Sequence, residues 1–335
     1  MSTDTTPKVE PSLGTSVLHN FNLRQMTPFI ALVLLIIVGN FVHPNFLTYG
    51  NLIENVAARC SFIAIIAIGA TFVMAAGGLD LSVGSMTAFV SGTMILFMKM
   101  YEDGGGVGLI AEGMALALVL GLACGLFNAL VITVGKIEPF IATLGSMVIL
   151  RSLFTYSANG GSLSLSPDLK DIYAPVYTGT LAGIPIPVLV VIVVAAIAAL
   201  ILYRTAFGRH VLAVGSNEEV ARYSGIPIAR IKAMTYLIQG LCVAIAVILY
   251  VPRLGSANSQ TGVTWELQAI TAVVVGGTLL KGGRGQIWGT VCGAFLLEII
   301  GNILTLSNVN VYLIGAVQGA IIIIAMLIQR GLNRR

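Results

Sequence analysis

The stretch AGGLDLSVGS, residues 76–85, interrupts a chain that is otherwise strongly apolar. It follows a run of Ile, Ala, Phe and Val, and it brings two glycines, the carboxylate of Asp80 and the hydroxyls of Ser82 and Ser85. A continuous apolar helix has no need of these residues, and a carboxylate inside a bilayer costs about 2.5–3.5 kcal/mol on insertion scales. The stretch therefore indicates a break between two membrane helices. We expect the acid to be stabilised by partners, by water or by a boundary position.

The composition of the whole chain is that of a membrane protein. The 335 residues are 57% hydrophobic and 10% charged, with a mean hydropathy of +0.95, whereas soluble domains carry about 25% charged residues. The 38 glycines agree, because small residues let membrane helices approach closely. The four cysteines lack metal-ligand spacing and are interpreted as small hydrophobes. The predicted fold class is all-α, polytopic.

Apolar runs that suit membrane spans, which need roughly 20 residues, recur along the chain. About ten transmembrane helices are predicted, at 27–43, 55–76, 82–100, 108–134, 138–157, 186–203, 233–252, 266–280, 286–306 and 311–329. They define a transmembrane domain, residues 27–330, after a disordered cytoplasmic tail, residues 1–26. The first apolar run is expected to act as an uncleaved signal-anchor.

The distribution of Lys and Arg predicts the orientation. With a cytoplasmic N-terminus, the inside loops and the C-terminal end collect most of the cations, whereas the outside loops hold little more than Lys170 and Arg253. The inside set is Lys136, Arg204, Arg209, Arg222, Arg230, Lys232, Lys281, Arg284, Arg330, Arg334 and Arg335. Both termini are therefore predicted to be cytoplasmic.

The sequence carries no motif of a soluble catalytic domain. Gly135-Lys136 is followed by Ile137 and not by the Ser or Thr of a Walker A phosphate loop. There is no His/Glu metal pair, and the membrane segments hold too few titratable groups for an intramembrane enzyme. No catalytic residue, cofactor or metal is predicted, and nucleic acid is not expected as a partner.

Two structures suit the break at Gly77-Gly78. One is a helix–turn–helix at the membrane surface, in which Asp80 or Ser82 caps a helix that starts at Val83. The other is a broken helix whose freed backbone lines a water-filled path. The two are compatible, since a cap can also face a path. A second pair, Gly276-Gly277, also follows an apolar run and raises the hypothesis of an internal repeat, although the flanking residues match poorly.

The longest inside loop, about residues 204–232, is predicted to hold one short helix. The signals are an N-cap, acids in the first turn, an apolar edge and a left-handed glycine after the last turn. They are carried by Asn217, Glu218, Glu219, Val220, Tyr223, Ile226 and Gly225. A solvated surface helix is the simplest interpretation. A helix of two turns is marginal alone in water, however, so the alternative is a docking element for a partner protein.

Two further stretches carry polar groups into apolar surroundings. In EPFIATLGSMVILRSL, residues 138–153, the residues Thr143, Gly145 and Ser146 are predicted to form one small, polar face, either for helix packing or for a path. In WELQAI, residues 265–270, the acid Glu266 opens a helix that leads to a glycine-rich turn.

Taken in order, these four stretches resemble the permease subunits of bacterial ribose-type sugar importers of the ATP-binding cassette class. The family pattern is GG-[IL]-DLSVGS, PFIATLG, FGR followed by a G-[GS]-N-E-x-A-like segment with SGI, and ELxAI-x-AVVxGGT. It covers nearly all of the chain after the N-terminal tail. The departures are Ser216, where glycine is common, and Val220, where alanine is common.

The resemblance implies a homodimeric permease of ten helices with the type II fold of the vitamin B12 importer, in the bacterial inner membrane. It implies a cytoplasmic ATPase subunit, a periplasmic sugar-binding protein, and a monosaccharide or related polyol as substrate. The implied ATPase-coupling helix comprises Asn217, Glu218, Glu219, Val220, Arg222, Tyr223 and Gly225. The candidate translocation path comprises Asp80, Ser82, Ser85, Asn128, Thr143, Ser146 and Glu266.

An ion-coupled secondary sugar transporter is the alternative function. Broken helices and an acid within the membrane suit such a protein. It would couple uptake to H⁺ or Na⁺ and would need no partner.

Overall fold

The computed structural model describes residues 23–102, 106–310, 313–317, 319–320 and 323, and this part of the chain is mostly helical. The helices are α1 Leu23–Val42, a π-helical stretch Gly50–Ala57, α2 Ala58–Ala75, α3 Val83–Met100, α4 Val107–Thr133, α5 Pro139–Ser157, α6 Pro167–Tyr173, α7 Pro175–Thr178, α8 Ile186–Arg204, α9 Ala206–Ser216, α10 Glu218–Tyr223, α11 Ile228–Leu254, α12 Trp265–Val275 and α13 Ile287–Leu306. Two antiparallel strand pairs lie in the connections, β1 Ser162–Ser164 with β4 Ser256–Asn258 and β2 Thr180–Leu181 with β3 Ile184–Pro185.

The polytopic, all-α class is confirmed, while the number of ten spans stays a prediction. Within the described ranges, seven helices are long and apolar enough to cross a membrane. The predicted span 27–43 corresponds to the shorter apolar part of α1, and the predicted span 266–280 shortens to α12, which has 11 residues. The predicted span 311–329 lies largely outside the described residues. Residues 1–22 of the predicted tail 1–26 also lie outside the described residues, and α1 begins at Leu23, so the disordered tail stays a prediction.

The centre of the bundle is α2, which packs against α8, α11, α12 and α13. Its sequence is apolar on every side and almost every residue is buried, as expected for a helix surrounded by other helices. α11 packs on its other side against α4, and there the two backbones touch at Gly121 and Gly240. A Cβ at Gly121 would lie 2.4 Å from the carbonyl oxygen of Gly240, so only glycine permits this distance.

The helices at the rim of the bundle expose large apolar side chains. On α8 these include Ile192, Val193, Ile197 and Leu200, which are all about half exposed or more. Such a surface would be unfavourable in water and suits the hydrocarbon of a bilayer.

The connection between α8 and α11 contains two helices, so the prediction of one helix was wrong in number. The hydroxyl of Thr205 caps α9 by accepting from the Gly208 N–H at 3.2 Å, and Asn217 ends α9 and begins α10. The sequence reasoning missed α9 because a Thr N-cap followed by Ala-Phe-Gly resembles a loop.

Candidate translocation and coupling sites

The break after α2 is a glycine turn, as predicted. Gly77 has a φ of +82° and donates to the Met74 carbonyl at 2.9 Å, and Gly78 donates to the Val73 carbonyl at 2.9 Å. This hydrogen-bond pattern is a Schellman motif, which ends a helix with a left-handed residue.

The end of α12 repeats this motif. Gly277 has a φ of +92° and donates to the Val274 carbonyl at 2.9 Å, while Thr278 donates to the Val273 carbonyl at 3.1 Å. The two breaks therefore share a local geometry. That geometry supports the hypothesis of an internal repeat, which stays a prediction for the rest of the chain.

A buried network of hydrogen bonds surrounds Asp80. The N–H and the hydroxyl of Ser82 both donate to Asp80 Oδ1, at 2.9 and 2.6 Å. Asn128 Nδ2 donates to the Ser82 hydroxyl at 2.9 Å and, more weakly, to Asp80 Oδ2 at 3.4 Å, and the Ser146 hydroxyl donates to Asn128 Oδ1. We call these four residues the Asp80 network. It fastens the break to α4 and α5, and it supplies the donors that a buried carboxylate requires.

The predicted capping role is wrong. α3 begins at Val83 as expected and Ser82 occupies the N-cap position, but its side chain makes no capping hydrogen bond. An N-cap side chain would accept a hydrogen bond from an N–H of the first turn. The Ser82 hydroxyl donates to the Asp80 carboxylate instead, because a buried carboxylate without donors is unfavourable.

The other path candidates lie beside this network or at the start of α3. Thr143 is buried on α5, and its hydroxyl donates to the Pro139 carbonyl at 2.9 Å. Gly145 is exposed, and an added Cβ there would meet no atom within 4 Å. Gly145 therefore does not belong to the predicted polar face. Ser85 is buried in the first turn of α3.

Glu266 lies where the start of α12 meets the start of α3. The two chain segments touch through glycine, since a Cβ at Gly84 would lie 2.1 Å from the carbonyl oxygen of Gly262. The same Cβ would lie 2.4 Å from Glu266 Oε2, so the half-buried carboxylate also packs against Gly84. The start of α12 is therefore held against the start of α3 by backbone contact.

One residue of this region was missed by the sequence reasoning. Tyr236 of α11 is buried, and its hydroxyl donates to the Leu79 carbonyl at 3.1 Å within the break. A tyrosine in a long apolar run gives no sequence signal for such a contact, although a buried tyrosine hydroxyl usually has a partner.

Helix α10 has the caps that the sequence predicts. Asn217 Oδ1 accepts from the Val220 N–H at 3.0 Å. Gly225 has a φ of +78° and donates to the Arg222 carbonyl at 3.0 Å, while Ile226 donates to the Ala221 carbonyl at 3.1 Å. These bonds are an N-cap and a Schellman C-cap.

The side chains of α10 divide into a packed side and an open side. Ala221 is buried, whereas Val220 is 60% exposed and Tyr223 is 90% exposed. Glu218 accepts from Lys232 Nζ at 2.6 Å and from Arg222 at 3.2 Å, while Glu219 is exposed. The Lys232 hydrogen bond, with the charges of Lys232 and Arg222, lowers the pKa of Glu218 despite partial burial. The ion pair fixes α10 to α11 and leaves the apolar edge uncovered in this chain.

Contacts between backbones connect the end of α9, which leads into α10, to the break after α2. Gly283 donates to the Ala75 carbonyl at 2.9 Å, and a Cβ at Gly215 would lie 1.9 Å from the same oxygen. A Cβ at Gly282 would lie 2.7 Å from the Gly215 carbonyl oxygen. We call Ala75, Gly215, Gly282 and Gly283 the glycine junction. It joins the ends of α2 and α9 to the loop before α13, whereas the sequence indicated only a tight reversal there.

Helices of membrane-spanning length, buried polar contacts between them and an apolar rim define a multi-pass membrane protein. Residues 52–326 match the family described as branched-chain amino acid transport system / permease component, and the chain belongs to this family. The resemblance to ribose-type permeases is confirmed by relatives that match along nearly their whole length.

Three such relatives illustrate the similarity. The ribose import permease protein RbsC of Haemophilus influenzae is 35% identical over 91% of this chain and 93% of its own. The RbsC protein of Bacillus subtilis is 35% identical over 92% of this chain and 93% of its own. The L-arabinose transport system permease protein AraH of Escherichia coli is 34% identical over 89% of this chain and 88% of its own.

Proposed function

We propose that this chain is the membrane-spanning permease subunit of an ATP-binding cassette sugar importer. It forms the path for a monosaccharide or related polyol, pairs as a homodimer with both termini in the cytoplasm, and is not itself an enzyme. A cytoplasmic ATPase subunit hydrolyses ATP, and a periplasmic binding protein delivers the sugar. The names of the relatives support the sugar as substrate.

The observation that carries the proposal is the open side of α10. A six-residue helix is too short to persist alone, yet α10 is capped at both ends, fixed by an ion pair, and presents Val220 and Tyr223 to the outside. A rigid helix with an exposed aromatic anchor suits a docking site for a protein partner. The ATPase is the partner that the family relationship favours.

The glycine junction gives this docking site a route to the interior. α9 leads directly into α10, and its last turn touches the end of α2 through Gly215. The break that carries the Asp80 network begins one residue after Ala75. If the ATPase displaces α10, the backbone contact between Gly215 and Ala75 would therefore carry the displacement to the break. No flexible side chain lies between these backbones to absorb it.

We propose that the break and its surroundings contribute to the sugar path. Asp80 is only 5% exposed and is held by three neighbouring donors, which fix the break against α4. Ser85, Thr143 and Glu266 would meet the substrate when the helices separate. The ATPase cycle would supply the shift between closed and open populations.

Reconstitution tests the proposal against ion-coupled transport. Permease in liposomes, with and without its ATPase and binding protein, is assayed with a panel of radiolabelled pentoses, hexoses and polyols. We expect accumulation against a gradient only with both partners and ATP. Uphill uptake by the permease alone, driven by an imposed H⁺ or Na⁺ gradient, would show the secondary transporter instead.

A further inference from the structure

Four aromatic rings cluster at the end of the bundle opposite α10. Phe62 of α2 is stacked on Tyr177 of α7 and on Trp265 of α12, with ring centroids 5.8 and 6.3 Å apart. Tyr250, near the end of α11, meets Phe62 and Trp265 edge-on at 5.6 and 5.2 Å. Phe62 and Tyr250 are buried, whereas Tyr177 and Trp265 are half-buried and offer ring surface to the outside.

Three charged side chains border these rings. The guanidinium of Arg253 lies 5.9 Å from the Phe62 centroid and 6.0 Å from the Tyr177 centroid. Arg59 Nε is 3.4 Å from Glu298 Oε1, and their side chains are 46% and 28% exposed. The charges of Arg253, Arg59 and Glu298 all act on the hydroxyl of Tyr177, whose pKa is raised chiefly by burial. Rings and charges therefore form one cluster, which we call the outer cluster.

Lipid does not account for the exposed part of this cluster. Arg59 and Glu298 lie inside helical segments of membrane-spanning length, and each charge exposed to hydrocarbon would cost several kcal/mol. Charged groups at such positions face water or another protein surface and mark substrate pathways. The exposed charges therefore face a water-filled space or the space between subunits, and the rings lie beside them.

The chemistry of the outer cluster matches that of a sugar. The C–H bonds of a sugar ring are positively polarised and pack on the electron-rich face of an aromatic ring. Its hydroxyl groups donate to a carboxylate and accept from the fixed donors of a guanidinium. Apolar ring surface with a few orienting polar groups is the usual composition of a small-molecule site.

We propose that the outer cluster is a monosaccharide-contact site. Trp265 and Tyr177 stack on the sugar, while Arg59, Arg253 and Glu298 bind its hydroxyl groups. The inference rests on the proposed function, and it adds the location at which the substrate first contacts the permease. It is separate from the Asp80 network, and nothing in the sequence patterns pointed to it, because its seven residues come from five distant segments.

Fluorescence gives a direct test, since Trp265 and Trp288 are the two tryptophans of the chain. The variant Trp288→Phe, purified as the full chain alone in detergent, has Trp265 as its one tryptophan. The probe is a sugar from the uptake panel that the wild-type importer accumulates, and glycine betaine is the control solute. We expect a saturable change in emission with the sugar and none with betaine. An emission that does not respond to the sugar would overturn the proposal.

Transport by matched variants separates contact from packing. Trp265→Leu keeps an apolar side chain but removes the ring, and we expect about tenfold slower uptake with normal assembly. Trp265→Phe should stay within about twofold of wild type, and the same change at the other tryptophan, Trp288→Leu, should have little effect. Wild-type uptake by Trp265→Leu would contradict the proposal. If this variant fails to assemble, the fluorescence result decides.

The Glu298→Gln variant adds a measurement that a change in packing alone would not alter. The amide keeps the size of the side chain but changes which hydroxyl groups it can orient. We expect the ratio of uptake rates for two epimeric sugars to change, and an unchanged ratio counts against the site. If the wild-type importer accumulates no sugar of the panel, the proposed function itself fails, which is a separate result.

Discussion

Gly283 donates a backbone hydrogen bond of 2.9 Å to the carbonyl oxygen of Ala75, and this single oxygen links the loop before α13 to the last residue of α2. Gly215, at the end of α9, is a third chain segment that lies against the same carbonyl oxygen. Three backbone segments thus meet without an intervening side chain. Contacts of this kind transmit small displacements, because close-packed atoms have no room to absorb them.

The first prediction concerns the Gly215→Ala variant. Its Cβ would lie 1.9 Å from the Ala75 oxygen, so the backbones must separate, and overpacking of this kind costs about 1–3 kcal/mol. We expect lower uptake per ATP hydrolysed, measured in nanodiscs and liposomes. Gly145→Ala is the matched control, because no atom lies within 4 Å of its added methyl group. Equal coupling in both variants would rule out transmission through the junction.

The second prediction concerns Asp80. Asp80→Asn keeps one oxygen for the two Ser82 donors but turns an amide donor toward Asn128, so we expect reduced but measurable uptake. Asp80→Leu leaves the N–H and the hydroxyl of buried Ser82 without their acceptor, at about 1–3 kcal/mol each, and should lose folding or uptake. Expression level, melting temperature and uptake are the measurements. Wild-type values for both variants would mean that the network is dispensable.

The third prediction concerns Tyr223. If Tyr223 anchors the ATPase, Tyr223→Ala should cost about 2 kcal/mol, which is roughly a thirtyfold loss of affinity. Pull-down yield and sugar-stimulated ATPase activity measure this loss. Tyr156→Ala removes a tyrosine of similar exposure, 84%, at the far end of α5 and should bind normally. Normal pull-down by the Tyr223 variant would show that the ATPase contact lies elsewhere. The turn at residues 281–285 would then be the next candidate.

The fourth prediction concerns the left-handed residue Gly225. With a φ of +78° and open space around it, a substitution there is penalised by backbone geometry and not by a clash. Gly225→Val should destabilise the end of α10 by roughly 1 kcal/mol or more, whereas Gly225→Asn should be better tolerated. We expect ATPase binding to follow the order glycine, asparagine, valine. Equal binding by all three variants would contradict a role for this C-cap in docking.

The fifth prediction concerns pH. The pKa of Glu218 is lowered in the folded chain, so its ion pair stabilises α10 above the unfolded pKa of about 4.3 and is lost as pH falls below that value toward the folded pKa. The protection of the α10 amides, which is the intrinsic exchange rate at each pH divided by the measured rate, should therefore decrease in this acidic range. Glu218→Gln should exchange faster already at neutral pH, while Glu219→Gln should resemble the wild type. Protection of the α10 amides that stays constant across this pH range in the wild type would contradict the role of the ion pair.

Local signals predicted local structure well. The N-cap at Asn217, the left-handed Gly225, the start of α3 at Val83 and the helix break at Gly77 depend on a few neighbouring residues, and each is found as expected. Side-chain partners were less predictable. The Ser82 hydroxyl serves a buried carboxylate and not the helix, which becomes evident only once Asn128 is brought beside it.

Long-range contacts were not predictable from one sequence. Nothing in the order of residues distinguishes Gly215, which lies against Ala75, from Gly145, where an added Cβ would meet no atom within 4 Å. Likewise, the apolar run predicted as a span at 266–280 begins its helix where expected, at Trp265, but the helix ends already at Val275. The helix ends where the backbone of Gly276 lies against that of Gly289 on α13, a contact that only the folded bundle shows.

The shortness of α12 has a consequence for biogenesis. Its 11 residues extend about 16 Å, whereas the hydrocarbon core is about 30 Å thick. Residues 259–264, which precede it, are non-helical and would leave backbone polar groups unsatisfied in lipid. The translocon therefore has no complete helix to release at this point of synthesis. We expect nascent chains that end just after α12 to keep residues 255–275 open to protease, and this segment to become protected only once α13 has emerged from the ribosome.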